Sequence, residues 1–88
     1  LHIYAAADAG LMMENLMLSA HAHGLGTCAQ GAVAFWDDAI RDEFEVSKDY
    51  RLLCGIAVGY PSDAPVNSFE AHRIGIDELI AKAKQKKK

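Results

Sequence analysis

Basic residues are scarce in this sequence except at its carboxyl end. Five of the nine Lys and Arg residues lie in the last seven positions: Lys82, Lys84, Lys86, Lys87 and Lys88. The remaining chain has 12 acidic and four basic side chains, a formal charge near −8 against +5 for the tail. Because contacts to phosphate backbones need a basic surface, the acidic body argues against nucleic acid as the main partner. The lysine-rich tail, residues 81–88, is expected to be solvated.

Cysteine is scarce as well, and long apolar runs are missing. The two cysteines, Cys28 and Cys54, form no C-x-x-C motif and are too few for a disulfide scaffold, which favours a reducing compartment. No apolar run approaches the roughly 20 residues of a membrane span, and no positively charged leader precedes an apolar segment. We therefore expect a cytoplasmic protein without a membrane partner.

The sequence also lacks the common catalytic and metal-binding motifs. His21 and His23 are two positions apart, so on a helix they point in nearly opposite directions and cannot share a metal ion. The segment Gly24–Gly26 lacks the third glycine of a dinucleotide-binding fingerprint and follows a helix, and no Walker A motif occurs. Cys28 is interpreted as a small packed side chain. We predict neither a metal site nor a catalytic side chain.

Hydrophobic residues, in contrast, are abundant for so short a chain. They make up 51% of the 88 residues, whereas a chain of this size buries only about 60–65% of its unfolded surface on its own. The excess indicates either a piece of a larger protein or an intimate oligomer. The first residue, Leu1, is not Met, which fits a truncated or cleaved product.

The longest periodic segment is predicted to be a helix from Asp8, as the entry residue, to His23. Its residues fall into three stripes at helical spacing: Leu11, Asn15, Leu18 and Ala22; Met13, Met17 and Ala20; and Met12, Leu16 and His23. Exposed Leu and Met side chains would leave roughly 10–20 kcal/mol of burial unrealised. We therefore expect the chain's own sheet to cover one side of this helix and a second subunit to cover the other.

Gly24 is expected to end this helix in the left-handed conformation. The following stretch, Gly24–Val33, has three glycines and two alanines, and is predicted to be neither helix nor strand. Its bare backbone suits close approach to a flat ligand, so one interpretation is the floor of a cofactor site built from main-chain N–H groups. The other interpretation is a helix cap followed by a tight connection.

The rest of the chain is read more coarsely. We predict a second helix over Phe35–Phe44 with Asp37 and Asp38 near its start. Tyr50–Tyr60 is apolar without alternation, which is typical of a central strand covered on both faces. A loop over 61–67, an extended segment over 69–76 and a last helix over 77–86 complete the prediction.

Arg73 is the one arginine in the last third of the chain. A guanidinium group in an extended segment, away from the lysine tail, could hold a phosphate. The alternative is a surface arginine paired with Glu70 or Asp77, which would contribute less than about 1 kcal/mol.

Two motifs in this order resemble the FMN-dependent nitroreductase family. The first is D-x-G-x-x-x-E-N-L-M-L-x-A-H-x-x-G-L-G-T-C from Asp8, and the second is Y-R-L-L-C-G-I-A-V-G-Y-P from Tyr50, followed by D-A-P-V-N and Arg73. The similarity extends from about residue 6 to residue 80. Each motif alone is weakly specific, and their order and spacing carry the resemblance.

The resemblance implies an α+β, nitroreductase-like fold, with a long central helix packed on a sheet and an intertwined homodimer that binds FMN at its interface. Residues 1–80 would form the C-terminal part of such a domain. The family's N-terminal half is not represented, so activity is expected of a parent enzyme more than of these 88 residues alone.

By the same resemblance, Ala29, Gln30, Gly31 and Ala32 would line the flavin through backbone atoms, with the N–H of Gly31 directed at flavin N5. Arg73 would hold the FMN phosphate without the second basic residue that the family often has at the position of Ala71.

The implied reaction is ping-pong hydride transfer from NAD(P)H to nitroaromatics, quinones or similar small acceptors. A non-enzymatic dimerisation module derived from the same fold is the alternative, and a related flavin chemistry such as dehalogenation or ring fragmentation is a third.

Overall fold

Three α-helices, two short strands and two 3-10 helices make up the regular structure of the described residues. The structure is a computed structural model, and it describes residues 2–81 and 86. In chain order the elements are α1 (Ile3–Ala22), β1 (Gly26–Gln30), a 3-10 helix (Gly31–Trp36), α2 (Asp37–Glu43), β2 (Gly55–Gly59), a second 3-10 helix (Pro65–Ser68) and α3 (Ile76–Leu79). The fold is thus α+β, with helices and a small antiparallel sheet.

Helix α1 begins earlier than the sequence predicts. Asp8 lies inside the helix and is not its entry residue, so that prediction was wrong. His2 caps the helix instead, because its ring Nδ1 accepts a hydrogen bond of 3.2 Å from the backbone N–H of Tyr4. The intervening alanines have the highest helix propensity of any residue and extend α1 to its start at Ile3.

The end of α1 follows the prediction. Gly24 has φ +79°, in the left-handed region, where a side chain is strained. Its N–H donates to the carbonyl of His21 at 3.0 Å, and the N–H of Leu25 donates to the carbonyl of Ala20 at 2.9 Å. These two bonds define a Schellman motif, which satisfies carbonyl groups that the helix end would otherwise leave unpaired.

One stripe of α1 packs against the rest of the chain. Met13 and Met17 are half-buried, and Ala20, 7% exposed, is the one buried hydrophobic residue in the described part of the chain. The helix contacts β1, and the sulfur of Cys54, just before β2, lies 3.7 Å from that of Met13. This stripe therefore faces the rest of the chain, and a long central helix packed on a sheet stays a prediction.

The remaining apolar side chains of α1 are exposed. Leu11 and Leu18 are 67% and 59% accessible, and Met12 and Leu16, on a flanking stripe, are 57% and 43% accessible. Residues 11 and 18 are separated by two helical turns and lie on the face opposite Met13. The described residues thus leave this face of α1 without a cover.

The two strands form an antiparallel pair whose register runs from Gly26↔Gly59 to Gln30↔Gly55. The prediction that the glycine-rich stretch after α1 contains no strand was therefore wrong for residues 26–30. Glycine lowers strand propensity, but pairing with a distant partner supplies ladder hydrogen bonds that a local reading of the sequence does not include.

The second strand is shorter and more exposed than predicted. It comprises five residues of the predicted segment 50–60, and its last three, Ala57 to Gly59, are exposed. Within the described part of the chain β2 pairs with β1 alone. The predicted central strand covered on both faces is therefore not present among these residues.

The predicted second helix over Phe35–Phe44 is confirmed in part. Its first two residues belong to the 3-10 helix, and α2 occupies the rest up to Glu43. Asp37 and Asp38 lie in the first turn of α2, where carboxylates interact favourably with unpaired N–H groups.

Regular structure is sparse after β2. The predicted loop 61–67 contains most of a 3-10 turn, residues 69–75 are irregular, and α3 comprises only four residues. The helix predicted for 77–86 was wrong at Ile80, which has extended dihedrals of −80° and 117°. Residues 82–85, 87 and 88, which include most of the lysine-rich tail, lie outside the described residues.

The chain leaves far more surface accessible than a compact domain does. Its accessible area is 8638 Å², against about 5,000 Å² for a folded monomer of this mass. Its radius of gyration is 18.0 Å, against about 12 Å for a compact domain of this length. The apolar excess seen in the sequence therefore remains largely unburied within this chain. In the described part, no helix is both long and apolar enough to cross a membrane.

Candidate cofactor site

The four backbone residues predicted to line a flavin lie at one junction. Ala29 and Gln30 end β1, and Gly31 and Ala32 begin the 3-10 helix. All four are exposed. No side chain caps the start of this 3-10 helix, and N–H groups in the first turn of a helix have no acceptor within the helix. The junction thus presents backbone donors without side-chain cover.

Space around this junction is asymmetric. A Cβ atom placed on Gly31 would meet no atom within 4 Å, whereas one on Gly55 would lie 3.4 Å from Cγ2 of Val33 and 3.7 Å from Oε1 of Gln30. One side of the junction is therefore packed against β2, and the side at Gly31 is open. A flat ring that needs bare backbone and N–H donors fits this open side.

Arg73 lies in the irregular segment between the second 3-10 helix and α3, and it is exposed. Among the described residues it makes no hydrogen bond or ion pair, so the predicted pairing with Glu70 or Asp77 is not observed there. No such bond joins Arg73 to the junction at Gly31 either. Residues 29–32 are consecutive and exposed, and the phosphate role of Arg73 stays a prediction.

The other residues singled out in the sequence have ordinary surroundings. His23 Nδ1 lies 2.8 Å from the carbonyl oxygen of Ser19. Across residues 2–81 and 86, no three His, Cys, Asp or Glu side chains cluster as a metal site would require. Cys28 is exposed, so its interpretation as a packed side chain was wrong for this chain, and Cys54 is the half-buried cysteine.

One well-organised residue escaped the sequence analysis. Arg41, on α2, lies 2.7 Å from Oδ2 of Asp37 in the one ion pair of the described residues. The same guanidinium donates to three backbone carbonyls between α2 and β2. The spacing of Asp37 and Arg41, four positions apart on a helix, was the available signal. The carbonyl partners carry no signal in the sequence.

Comparison with known proteins decides the family. The model of the nitroreductase family matches residues 2–60, which include α1, the junction at Gly31 and β2. The chain belongs to the nitroreductase family. The resemblance noted in the sequence is confirmed at this level, and the nitroreductase family is generally flavin-dependent.

Relatives with assigned names agree with this membership. The chain is 39% identical over 74 residues to nitroreductase NfnB of Mycolicibacterium smegmatis, covering 83% of this chain. It is 35% identical over 71 residues to a 4-nitrobenzoate reductase of Pseudomonas putida, covering 80% of this chain. A 4-nitrobenzoate reductase of a Nocardioides strain is 32% identical over 77 residues, covering 86%. The matched region is 31% of each relative's length.

These relatives are named as reductases of nitro compounds. The assignment of residues 1–80 to the C-terminal part of the family's domain stays a prediction.

Proposed function

We propose that the protein is an FMN-dependent NAD(P)H oxidoreductase that reduces nitroaromatics, quinones or similar small acceptors. Family membership and the names of the relatives support the reaction class. The single structural observation in its favour is the exposed backbone junction at 29–32, which is open at Gly31 and free of side-chain cover.

The role of the chain is to bind and orient the cofactor. When bound, FMN supplies hydride acceptance from NAD(P)H and electron delivery to the acceptor in a ping-pong sequence. The backbone of residues 29–32 would lie against the ring, and the N–H of Gly31 would donate a hydrogen bond at N5. Such a fixed donor stabilises negative charge that develops there without itself being a proton source.

Arg73 is proposed to hold the FMN phosphate. Its guanidinium has five N–H donors that match phosphate geometry, and no acceptor among the described residues uses them. This role requires that the segment containing Arg73 meet the phosphate of the cofactor in the assembled protein, either in the same copy or in a partner copy.

A homodimer is the proposed assembly. Leu11 and Leu18 expose most of their side-chain area on the face of α1 opposite the sheet. Covering a Leu side chain stabilises by about 1.5–3 kcal/mol, so a second copy seated on this face would gain several kcal/mol from these residues and their neighbours.

A direct experiment tests the reaction. The full-length protein that contains these 88 residues is purified, titrated with FMN and then assayed for oxidation of NADH and NADPH with 4-nitrobenzoate or a quinone as acceptor. We expect FMN to bind, and double-reciprocal plots at several acceptor concentrations to give parallel lines. FMN binding without turnover would refute the enzymatic role, and absence of FMN binding would refute the cofactor assignment.

A non-enzymatic dimerisation module is the second candidate. The chain matches only 31% of the length of its relatives and leaves most of its apolar surface exposed, which would suit a segment that serves assembly alone. Under this alternative the protein dimerises but binds no FMN, and Arg73→Ala changes neither property.

A further inference from the structure

The side chain of Arg41 makes four hydrogen bonds within the segment between the cofactor junction and β2. Arg41 donates through Nε to Asp37 Oδ2 at 2.7 Å, through Nη1 to the carbonyls of Val46 and Ser47 at 3.4 and 3.2 Å, and through Nη2 to the carbonyl of Tyr50 at 2.6 Å. Its side chain is 26% exposed. A guanidinium has five donors in a rigid fork, and four hydrogen bonds use most of them.

These bonds join two parts of the chain whose ends are neighbours in the sheet. The chain leaves β1 at Gln30, passes through the 3-10 helix and α2, and returns through residues 44–54 to Gly55, which pairs with Gln30. Residues 31–54 thus form an excursion whose two ends are neighbours in the ladder. Arg41 forms hydrogen bonds from the outgoing half, residues 31–43, to the returning half, residues 44–54.

The returning half leads into Gly55, which lies next to the junction at residues 29–32. Gly55, the first residue of β2, lies so close to the 3-10 helix that an added Cβ would contact Val33 and Gln30. A shift of the returning segment would therefore move Gly55 against the first turn of the 3-10 helix, and with it the backbone at Gly31. Residues 45–54 contain no helix or strand. Apart from the bonds to Arg41, the hydrogen bonds of residues 46–50 are local: the N–H of Tyr50 donates to the carbonyl of Ser47 at 3.1 Å, and the N–H of Asp49 donates to Oγ of Ser47 at 3.2 Å.

We propose that Arg41 is a positioning residue, which holds residues 46–50 of the returning half in place and thereby sets the backbone geometry of the junction at Gly31. Its effect on cofactor binding rests on the proposed function. Its effect on the hydrogen-exchange rates of the two strands is independent of the proposed function. None of the four hydrogen bonds of Arg41 goes to residues 29–32.

The test uses Arg41→Met, which keeps the length of the side chain and removes all its donors. Arg51→Met is the matched control, since Arg51 lies in the same segment, is exposed and makes no hydrogen bond among the described residues. Hydrogen exchange of the full protein, followed by mass spectrometry, is measured for peptides that cover residues 26–33 and 44–59. FMN affinity and the visible spectrum of the bound flavin are measured in parallel.

We expect Arg41→Met to speed exchange in both peptides about tenfold or more, to weaken FMN binding by a similar factor and to shift the flavin spectrum, while Arg51→Met matches wild type. Arg41→Lys should fall between the two, because one ammonium cannot reach Asp37 and Tyr50 together. If Arg41→Met does not fold, the hydrogen-exchange rates and FMN affinity of Arg41→Lys provide the test.

The outcomes separate the two proposals. Unchanged exchange over 26–33 in Arg41→Lys and Arg41→Met would overturn the positioning role. Faster exchange over 44–54 alone would also overturn it, since the junction would then be independent of Arg41. Faster exchange in both peptides with no FMN binding in any variant, wild type included, would keep the positioning role and refute the flavin assignment.

Discussion

Replacing Arg73 with alanine should weaken FMN binding and leave the stability of the fold unchanged. Arg73 is exposed and makes no hydrogen bond or ion pair among the described residues, so its removal should change the free energy of unfolding by less than about 0.5 kcal/mol. A charge-assisted hydrogen bond to a phosphate contributes about 1.5–3 kcal/mol. The dissociation constant for FMN should therefore rise roughly 10- to 150-fold.

The assay is quenching of FMN fluorescence during titration with protein, at low and at physiological salt. Arg51→Ala is the control, because it removes the same charge from another exposed arginine that has no hydrogen-bond partner among the described residues. Riboflavin, which lacks the phosphate, should bind wild type and Arg73→Ala equally. Equal FMN affinity of Arg73→Ala and Arg51→Ala would refute the phosphate role, and so would equal losses for FMN and riboflavin.

Three further substitutions test other parts of the account. Gly31→Val should leave thermal stability within about 2 °C of wild type, because a Cβ there meets nothing, but should weaken FMN binding at least about tenfold by filling the open side. Gly59→Ala, equally unobstructed, should change neither thermal stability nor FMN binding. Leu11→Glu with Leu18→Glu should convert a dimer to monomers in sedimentation velocity, and a persistent dimer would place the interface elsewhere. Gly24→Ala should cost about 1–2 kcal/mol, seen as a lower melting temperature, and an unchanged melting temperature would contradict the strained φ of +79°.

The sequence predicts α1 well because its information is local. Met13, Met17 and Ala20 recur at helical spacing, and they are among the least exposed residues of α1. Gly24 ends the helix because its backbone has a positive φ, which glycine adopts without strain, and a glycine just after a helical pattern predicts such an end. The start of α1 was missed because a histidine cap at His2 is rarer than an aspartate cap, and Asp8 offered the commoner signal.

The strands and the site depend on contacts that the sequence does not display. The segment Gly26–Gln30 is a strand because β2, far along the chain, pairs with it, and glycine there argued locally against a strand. The junction at Gly31 is exposed and open, and the flavin contact predicted for its backbone stays a prediction. Arg41 was missed because its acceptors are backbone carbonyls, which every residue has.

The central claim is that a flavin ring lies on the backbone of residues 29–32. Crystals of the protein grown with FMN test it most directly. We predict ring density against this junction, with the N–H of Gly31 within hydrogen-bond distance of N5. Density for FMN elsewhere, with the junction facing solvent, would contradict the account.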